Sequence, residues 1–299
     1  MDILHEISPS RGAGSPRVLG FYEPDTGSCQ YICIDDATGK AAIIDAVQQF
    51  DPASASSRFD QAQWALDWLA REGLTLEWVL DTHPHADHLM AAAWIKERTG
   101  APMGIGEKVR DIAGLWREYY HQPDAFDPDR EFDRLFAEGD TFRIGSLEAR
   151  VMLSPGHTLG SISYVVGDAI FAHDTFMQPD AGTSRADFPG GDAGQLYDSL
   201  MAILDHPDET RVFIGHDYGT TERKGPAWES TVAEQRRANT HIGGGVAKPD
   251  YVAVREARDA TLKLPARMLA ALQVNLRGGR MPEAEADGHS YLKIPANRF

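Results

Sequence analysis

Hydrophobic residues near the start of the chain fall into short runs at 18–22, 30–34 and 41–47. Asp25-Thr26-Gly27 and Asp36-Ala37-Thr38-Gly39 separate them as turns. Short apolar runs bounded by such residues predict an antiparallel meander. The period then changes. Residues 61–72 place Trp64, Trp68 and Leu69 on one helical face, with Gly73 as the stop. A buried strand is predicted at 76–80 and a helix at 89–98, closed by Gly100. Further strands are predicted at 147–153, 162–166, 169–172 and 211–214. Beyond Tyr218 the pattern weakens into a polar, Gly-rich stretch at 219–250, then a helical segment at 251–262 and Pro-interrupted residues to the end. The expected organisation is a loose polar lead-in over 1–16, one catalytic domain over 17–250, and an extension over 251–299 packed on that same domain.

Polar residues that follow the strands carry the candidate chemistry. The strand at 76–80 runs into Thr82-His83-Pro84-His85-Ala86-Asp87-His88, and the one at 147–153 runs into Ser154-Pro155-Gly156-His157. His173-Asp174-Thr175 follows the strand at 169–172, and Gly215-His216-Asp217-Tyr218 follows the strand at 211–214. Neutral imidazole and carboxylate are the ligands of divalent transition metals. Singly, His85 or His88 is an ordinary loop histidine, Asp87 a helix cap and Asp174 a turn residue. Clustered together they need a cation to offset desolvation and mutual repulsion. His173 precedes Asp174 on a strand, so its side chain is expected to point away from the metal.

Composition narrows the partners. The formal net charge is -16, from 29 basic and 45 acidic residues, which argues against nucleic acid because phosphate binding needs a basic surface. An anionic substrate would need a local cationic patch. No apolar run reaches the ~18–20 residues that span a bilayer, so no membrane partner is expected. The first residues lack a basic start followed by an apolar stretch, and the expected location is cytoplasmic. The two cysteines, Cys29 and Cys33, lie in one predicted strand. Roughly 13 Å of strand separates them, beyond the ~7 Å that a disulfide can bridge.

These blocks resemble the metallo-β-lactamase superfamily over roughly 18–218, with the Thr-His-x-His-x-Asp-His run as the specific motif. The resemblance implies an α/β fold, an αββα sandwich with the metal at one edge of two sheets. In dinuclear members His83, His85 and His157 would hold one ion, Asp87, His88 and His216 the other, and Asp174 would bridge. The segment Gly182-Thr183-Ser184-Arg185-Ala186-Asp187-Phe188-Pro189-Gly190-Gly191-Asp192 is similar to the persulfide (sulfur) dioxygenases. Leu272-Gln273-Val274-Asn275 and Leu292-Lys293-Ile294-Pro295 resemble β-lactamase-like hydrolases of the same branch.

That narrower resemblance implies one Fe(II) per chain on His83, His157 and Asp174, a facial triad with open positions. The implied reaction takes a small-molecule persulfide, glutathione persulfide for example, with O2 and water to sulfite and thiol. His85, Asp87, His88 and His216 would then orient the ligands and bound water. Arg185 is the candidate for gripping a glutathione carboxylate, with a salt bridge to Asp187 or Asp192 as the alternative. Tyr218 is a candidate substrate contact, and Asp187 a candidate support for a histidine. The alternative function is a dinuclear zinc hydrolase of the glyoxalase II, lactonase or β-lactamase type. The resemblance also allows a homodimer, with an exposed Trp64/Trp68 face as its surface.

Overall fold

A computed structural model describes residues 3–299. The first half of the chain forms β1 (His5–Ser8), β2 (Arg17–Glu23), β3 (Ser28–Asp35), β4 (Lys40–Ile44), β5 (Val47–Asp51), β6 (Ser56–Arg58), α1 (Asp60–Arg71), β7 (Thr75–Leu80), β8 (Leu89–Met90), α2 (Ala92–Thr99), β9 (Met103–Gly106), α3 (Val109–Tyr120), α4 (Pro128–Glu131) and β10 (Arg134–Phe136). The second half forms β11 (Thr141–Ile144), β12 (Leu147–Leu153), β13 (Ile162–Val166), β14 (Ala169–His173), α5 (Ala193–Leu204), β15 (Arg211–Ile214), β16 (Glu229–Thr231), α6 (Val232–Ala238), α7 (Lys248–Asp259) and α8 (Met268–Asn275). One sheet runs β1-β2-β3-β4-β7-β9-β10, the other β11-β12-β13-β14-β15-β16, and a small ribbon runs β6-β5-β8.

Strand alternation builds the sandwich. In β3, Ile32 and Ile34 face the helix side with Leu19, Phe21, Ala65 and Ile95, while Tyr31 and Cys33 face the second sheet with Tyr164, Phe171 and Phe213. Every residue of β3 is buried, as a strand covered on both faces requires. Leu196, Leu200 and Ile203 of α5 cover the far face of the second sheet. The layers are therefore αββα, as the resemblance implied. Tyr31 ties the sheets together by donating its hydroxyl to the carbonyl of Ile214 at 2.5 Å. Cys29 and Cys33 are both buried free thiols, and burial pushes both up from the ordinary thiol range.

Several sequence expectations need correction. The lead-in is not loose: β1 pairs antiparallel with β2 from His5↔Phe21 to Ser8↔Val18, and Ile3 sits in the core. Only one of its four residues is buried and Ile7 is its single apolar one, so no apolar run marks it. The Trp64/Trp68 face is not exposed. Trp68 is only 6% exposed, and Trp64 packs against His5 and Phe21 with ring centroids 5.2 and 5.3 Å apart. The helix expected at 89–98 begins later, because Leu89 and Met90 pair with β5. The stretch at 219–250 is also structured. β16 joins the second sheet, and Thr231 and Glu234 form a capping box that starts α6. Among the described residues no helix is long and apolar enough to cross a membrane.

Candidate metal centre

The site begins at Asp45, which follows β4 with φ of 53°, an uncommon conformation for a residue other than glycine. Its carboxylate accepts from the backbone N–H of Thr82 at 2.8 Å and from the Thr82 hydroxyl at 2.9 Å. That hydroxyl proton is thereby used, so at 3.0 Å the Thr82 oxygen accepts from Nδ1–H of His83. Nε2 of His83 is left with its lone pair free, buried and without a partner. Asp45 Oδ1, which takes the Thr82 N–H, also lies 3.2 Å from Nε2 of His85, leaving Nδ1 of His85 as a second buried, unpartnered nitrogen. One carboxylate thus sets the tautomers of two histidines. Burial, then His85 and His157, holds His83 well below the ordinary imidazole range and keeps it neutral for coordination.

His157 reaches the same place from β12. Gly156 has φ of +127°, and a Cβ there would collide with the backbone nitrogen of Leu196, so only glycine lets the loop pass this close to α5. Nδ1–H of His157 donates to the carbonyl of Arg185 at 2.8 Å, which turns the Nε2 lone pair toward Asp174. Asp174 follows β14. Its Oδ2 lies 3.7 Å from Nε2 of His83 and 3.5 Å from Nε2 of His157. Ligand atoms on one ion sit about 3.0–3.4 Å apart when each bond is about 2.1 Å. His83, His85 and Asp174 each offer an atom within 4.8 Å of the others, and His157 reaches the same Asp174 oxygen, so three histidines gather about one carboxylate. The orphaned Nε2 of His83 is what such an ion would satisfy.

The other oxygen of Asp174 is engaged. Oδ1 lies 2.6 Å from Nδ1 of His216, and Gly215 is required before it because a Cβ there would collide with Oδ1. Nε2 of His216 contacts Asp87 and lies 3.1 Å from the Ser28 hydroxyl. Burial opposes charge on His216, but Asp174 and Asp87 outweigh it and hold the imidazole well above its ordinary range. Burial would likewise raise Asp174, yet His216 keeps it well below the carboxylate range. His85, Asp87 and His88 each offer an atom within 4.8 Å of the others. Nδ1 of His88 lies 3.0 Å from Ser28, and its buried Nε2 has no partner. His173 stays out of the set: its Nε2 is engaged by Ser154 at 2.8 Å and Thr175 at 2.9 Å. Its ring still packs 5.3 Å from that of His83, so it backs the ligand rather than turning wholly away.

A cavity of about 460 Å³ opens over this cluster. Asp87, His157, Asp174 and His216 form its floor, and Tyr218, Arg185, Arg255, Arg258 and Lys263 stand on its walls. Tyr218 is 68% exposed and stacks on the His216 ring, with centroids 5.9 Å apart and planes within 12°. Arg185 is partly committed within the chain, in the ion pair that the sequence left open as an alternative. It pairs bidentately with Asp187 at 2.6 and 2.7 Å and donates to the carbonyl of Lys263 at 2.8 Å. Asp187 correspondingly pairs with Arg185, and no bond from it to a histidine occurs among the described residues. Arg185 serves the centre through its main-chain carbonyl on His157.

Sequence reading missed Asp45, Ser28 and Asn275. Asp45 carried a signal, a lone acid directly after the buried run Ala41-Ala42-Ile43-Ile44. Asn275, on α8, was legible only as part of the Leu272–Asn275 resemblance, with nothing to tie it to the site. It is fully buried, donates from Nδ2 to the carbonyls of His85 at 2.7 Å and His88 at 2.8 Å, and accepts from the N–H of Met90 at 2.8 Å.

Residues 24–216 match the family described as the metallo-beta-lactamase superfamily. The chain belongs to that superfamily. It is 53% identical over 283 residues to the beta-lactamase hydrolase-like protein of Xylella fastidiosa strain Temecula1, covering 95% of this chain and 65% of that one. The chain therefore spans about two thirds of that relative's length. It is 36% identical over 184 residues to the hydroxyacylglutathione hydrolase of Rhodospirillum rubrum, covering 61% of this chain and 59% of the relative. Among solved structures, ETHE1 from Myxococcus xanthus superposes with a TM-score of 0.70 at 29% identity, over 94% of this chain and 100% of that one.

Proposed function

We propose that this superfamily member is a mononuclear Fe(II) dioxygenase that oxidises a low-molecular-weight persulfide such as glutathione persulfide. The observation that carries this reading is the division of labour on Asp174. Oδ1 is committed to His216 at 2.6 Å, and Oδ2 alone faces His83 and His157. A carboxylate used this way would be a terminal ligand of one ion and not a bridge between two. The fold likeness to ETHE1 along nearly the whole chain supports the same branch.

The balanced reaction is persulfide plus O2 plus water giving thiol, sulfite and two protons, with the terminal sulfur oxidised and O2 reduced by four electrons. Iron, when bound, would supply the redox chemistry, which zinc cannot because it has no accessible redox change. The chain supplies the rest. His83, His157 and Asp174 would hold the ion. Asp45, through Thr82, and the Arg185 carbonyl fix the two imidazoles in the binding tautomer. His216 and Asp87 line the cavity, where they can hold or release a proton. Tyr218 covers His216 from the solvent side.

The test is oxygen uptake and sulfite formation with glutathione persulfide by protein loaded anaerobically with iron. Uptake with one iron per chain is expected. One bound iron with no uptake overturns the reading.

A second reading, a dinuclear zinc thioester hydrolase, is favoured by a different observation. Nδ1 of His85 and Nε2 of His88 are both buried and unpartnered beside Asp87, as donors for a second ion would be. Two zinc per chain, with thioester cleavage and no oxygen consumption, would establish it.

A further inference from the structure

Past α8 the chain doubles back on itself. Residues 283–290 are exposed and form no helix or strand, and the segment after them returns to α8. It is held at two points. The first is Gln273, which is fully buried. Its Oε1 accepts from the N–H of Lys293 at 2.9 Å, and its Nε2 donates to the carbonyl of Lys293 at 2.9 Å. One side-chain amide thus meets the main chain with both its acceptor and its donor, as a neighbouring strand would. The second point is α3, where Phe299 stacks on Tyr119 with centroids 5.0 Å apart and the Arg298 guanidinium lies 5.1 Å over the same ring. Packing between these points is incomplete. Met268, Leu269, Tyr291 and Ile294 line a common cavity of about 640 Å³, and the last two are 52% and 56% exposed. A segment with few buried contacts opens more readily than the core beneath it.

The same helix holds the metal loop. Asn275 lies two residues beyond Gln273, about 200° around the helix, and bonds the carbonyls of His85 and His88 and the N–H of Met90. Leu292, next to Lys293, packs against the small cluster that contains Leu89, the residue after His88. α8 has only 8 residues, and a helix that short depends on its packing to persist. From this we propose that residues 283–299 form a releasable strap whose docking on Gln273 sets the metal affinity of the loop 83–88. With the strap docked, the last turn of α8 is clamped and Asn275 keeps the ligand loop in place. With the strap free, that turn loses its clamp and the loop loses its hydrogen bonds. The inference goes beyond the reading above and rests only on metal binding by that loop, whichever ion fills it. Such coupling is reciprocal. The factor by which release weakens metal binding is the factor by which bound metal holds the strap down.

The experiment is hydrogen exchange of the full chain, metal-free and zinc-saturated, in wild type and in Gln273→Leu, beside zinc affinity by chelator competition. Zinc serves as a redox-inert probe of the loop. Leucine keeps most of the volume of glutamine, and Phe299→Ala loosens the other end of the strap without touching α8. In wild type, zinc should slow exchange at 291–294 about tenfold, within the 5–150-fold usual for such coupling. The edge strand β1 is the control, and its exchange should not change with zinc. Both variants should exchange faster at 291–294 and bind zinc about tenfold more weakly. Exchange at 291–294 that ignores zinc overturns the proposal, as does equal slowing at β1, which would report only global stabilisation. Wild-type zinc affinity in a variant whose strap exchanges faster also overturns it, as does strap exchange unchanged in both variants. Oxygen uptake enters none of these readouts, so the strap and the dioxygenase reading fail separately.

Discussion

Asn275 holds the loop that carries His85, donating to its carbonyl at 2.7 Å from a helix 190 residues further along the chain. The same amide bonds His88 and Met90, so α8 completes the hydrogen bonding of a ligand loop with little regular structure of its own. Asn275→Ala would strand two buried carbonyls and an N–H, at about 1–3 kcal/mol for each unsatisfied group. The expected result is a lower melting temperature together with weaker metal binding. Asn275→Asp keeps the acceptor for Met90 but loses the donors, and should bind metal less well than wild type. Metal titration beside thermal unfolding separates the two effects.

Asp45 governs two tautomers from one position. Asp45→Asn should weaken metal binding by about 10–100-fold, as is typical when the partner behind a ligand is lost. Circular dichroism should stay near wild type. A variant with undiminished affinity would show that Thr82 orients His83 without help.

His157→Ala removes the imidazole whose Nε2 lies 3.5 Å from Asp174. Metal content and oxygen uptake should fall together. An iron-replete, active variant would contradict the ligand assignment.

Asp35 offers a test of stability against pH that is remote from the metal. Burial would raise its carboxyl, but hydrogen bonds from Thr38, Ser146 and Ala37 prevail and hold it at about 2, against an ordinary value of 3.8. Ser146 lies in the turn before β12, so this acid clasps the two sheets, with Ser146 N–H at 2.6 Å and its hydroxyl at 2.7 Å. A carboxyl lowered on folding contributes its stability in full above the unfolded value and loses it as pH falls through the folded one. The stability gap between wild type and Asp35→Ala should therefore be constant above about pH 5. It should narrow toward pH 2. Urea unfolding across that range measures it, and a gap independent of pH would sink the assignment.

The parts of the site that were legible in the sequence lie within a few residues of a strand end. His83, His157, Asp174 and His216 each follow a buried run, and the sheet brings such ends to one rim. Asp45 obeys the same rule but stands alone, and a single acid after a strand reads as a turn. Asn275 and the Arg255–Lys263 wall depend on where the C-terminal helices pack, which periodicity does not encode. Strand β1 was hidden because it holds a single apolar residue, Ile7, and so no apolar run. Arg185 was legible as a cation near the site. Its commitment to Asp187 was one of the alternatives the sequence left open, and only the fold decides between them.

The proposed ligand set draws on both sheets, with His83 carried by β7 and His157 and Asp174 by β12 and β14. An ion there would act as a rivet between two halves that meet at the short link joining β10 to β11. Cutting the polypeptide at that link would leave neither fragment able to chelate fully. Reassembly of the pieces would then depend on the supply of metal, and protein made in a metal-starved cell would be the form most open to proteolysis along the seam.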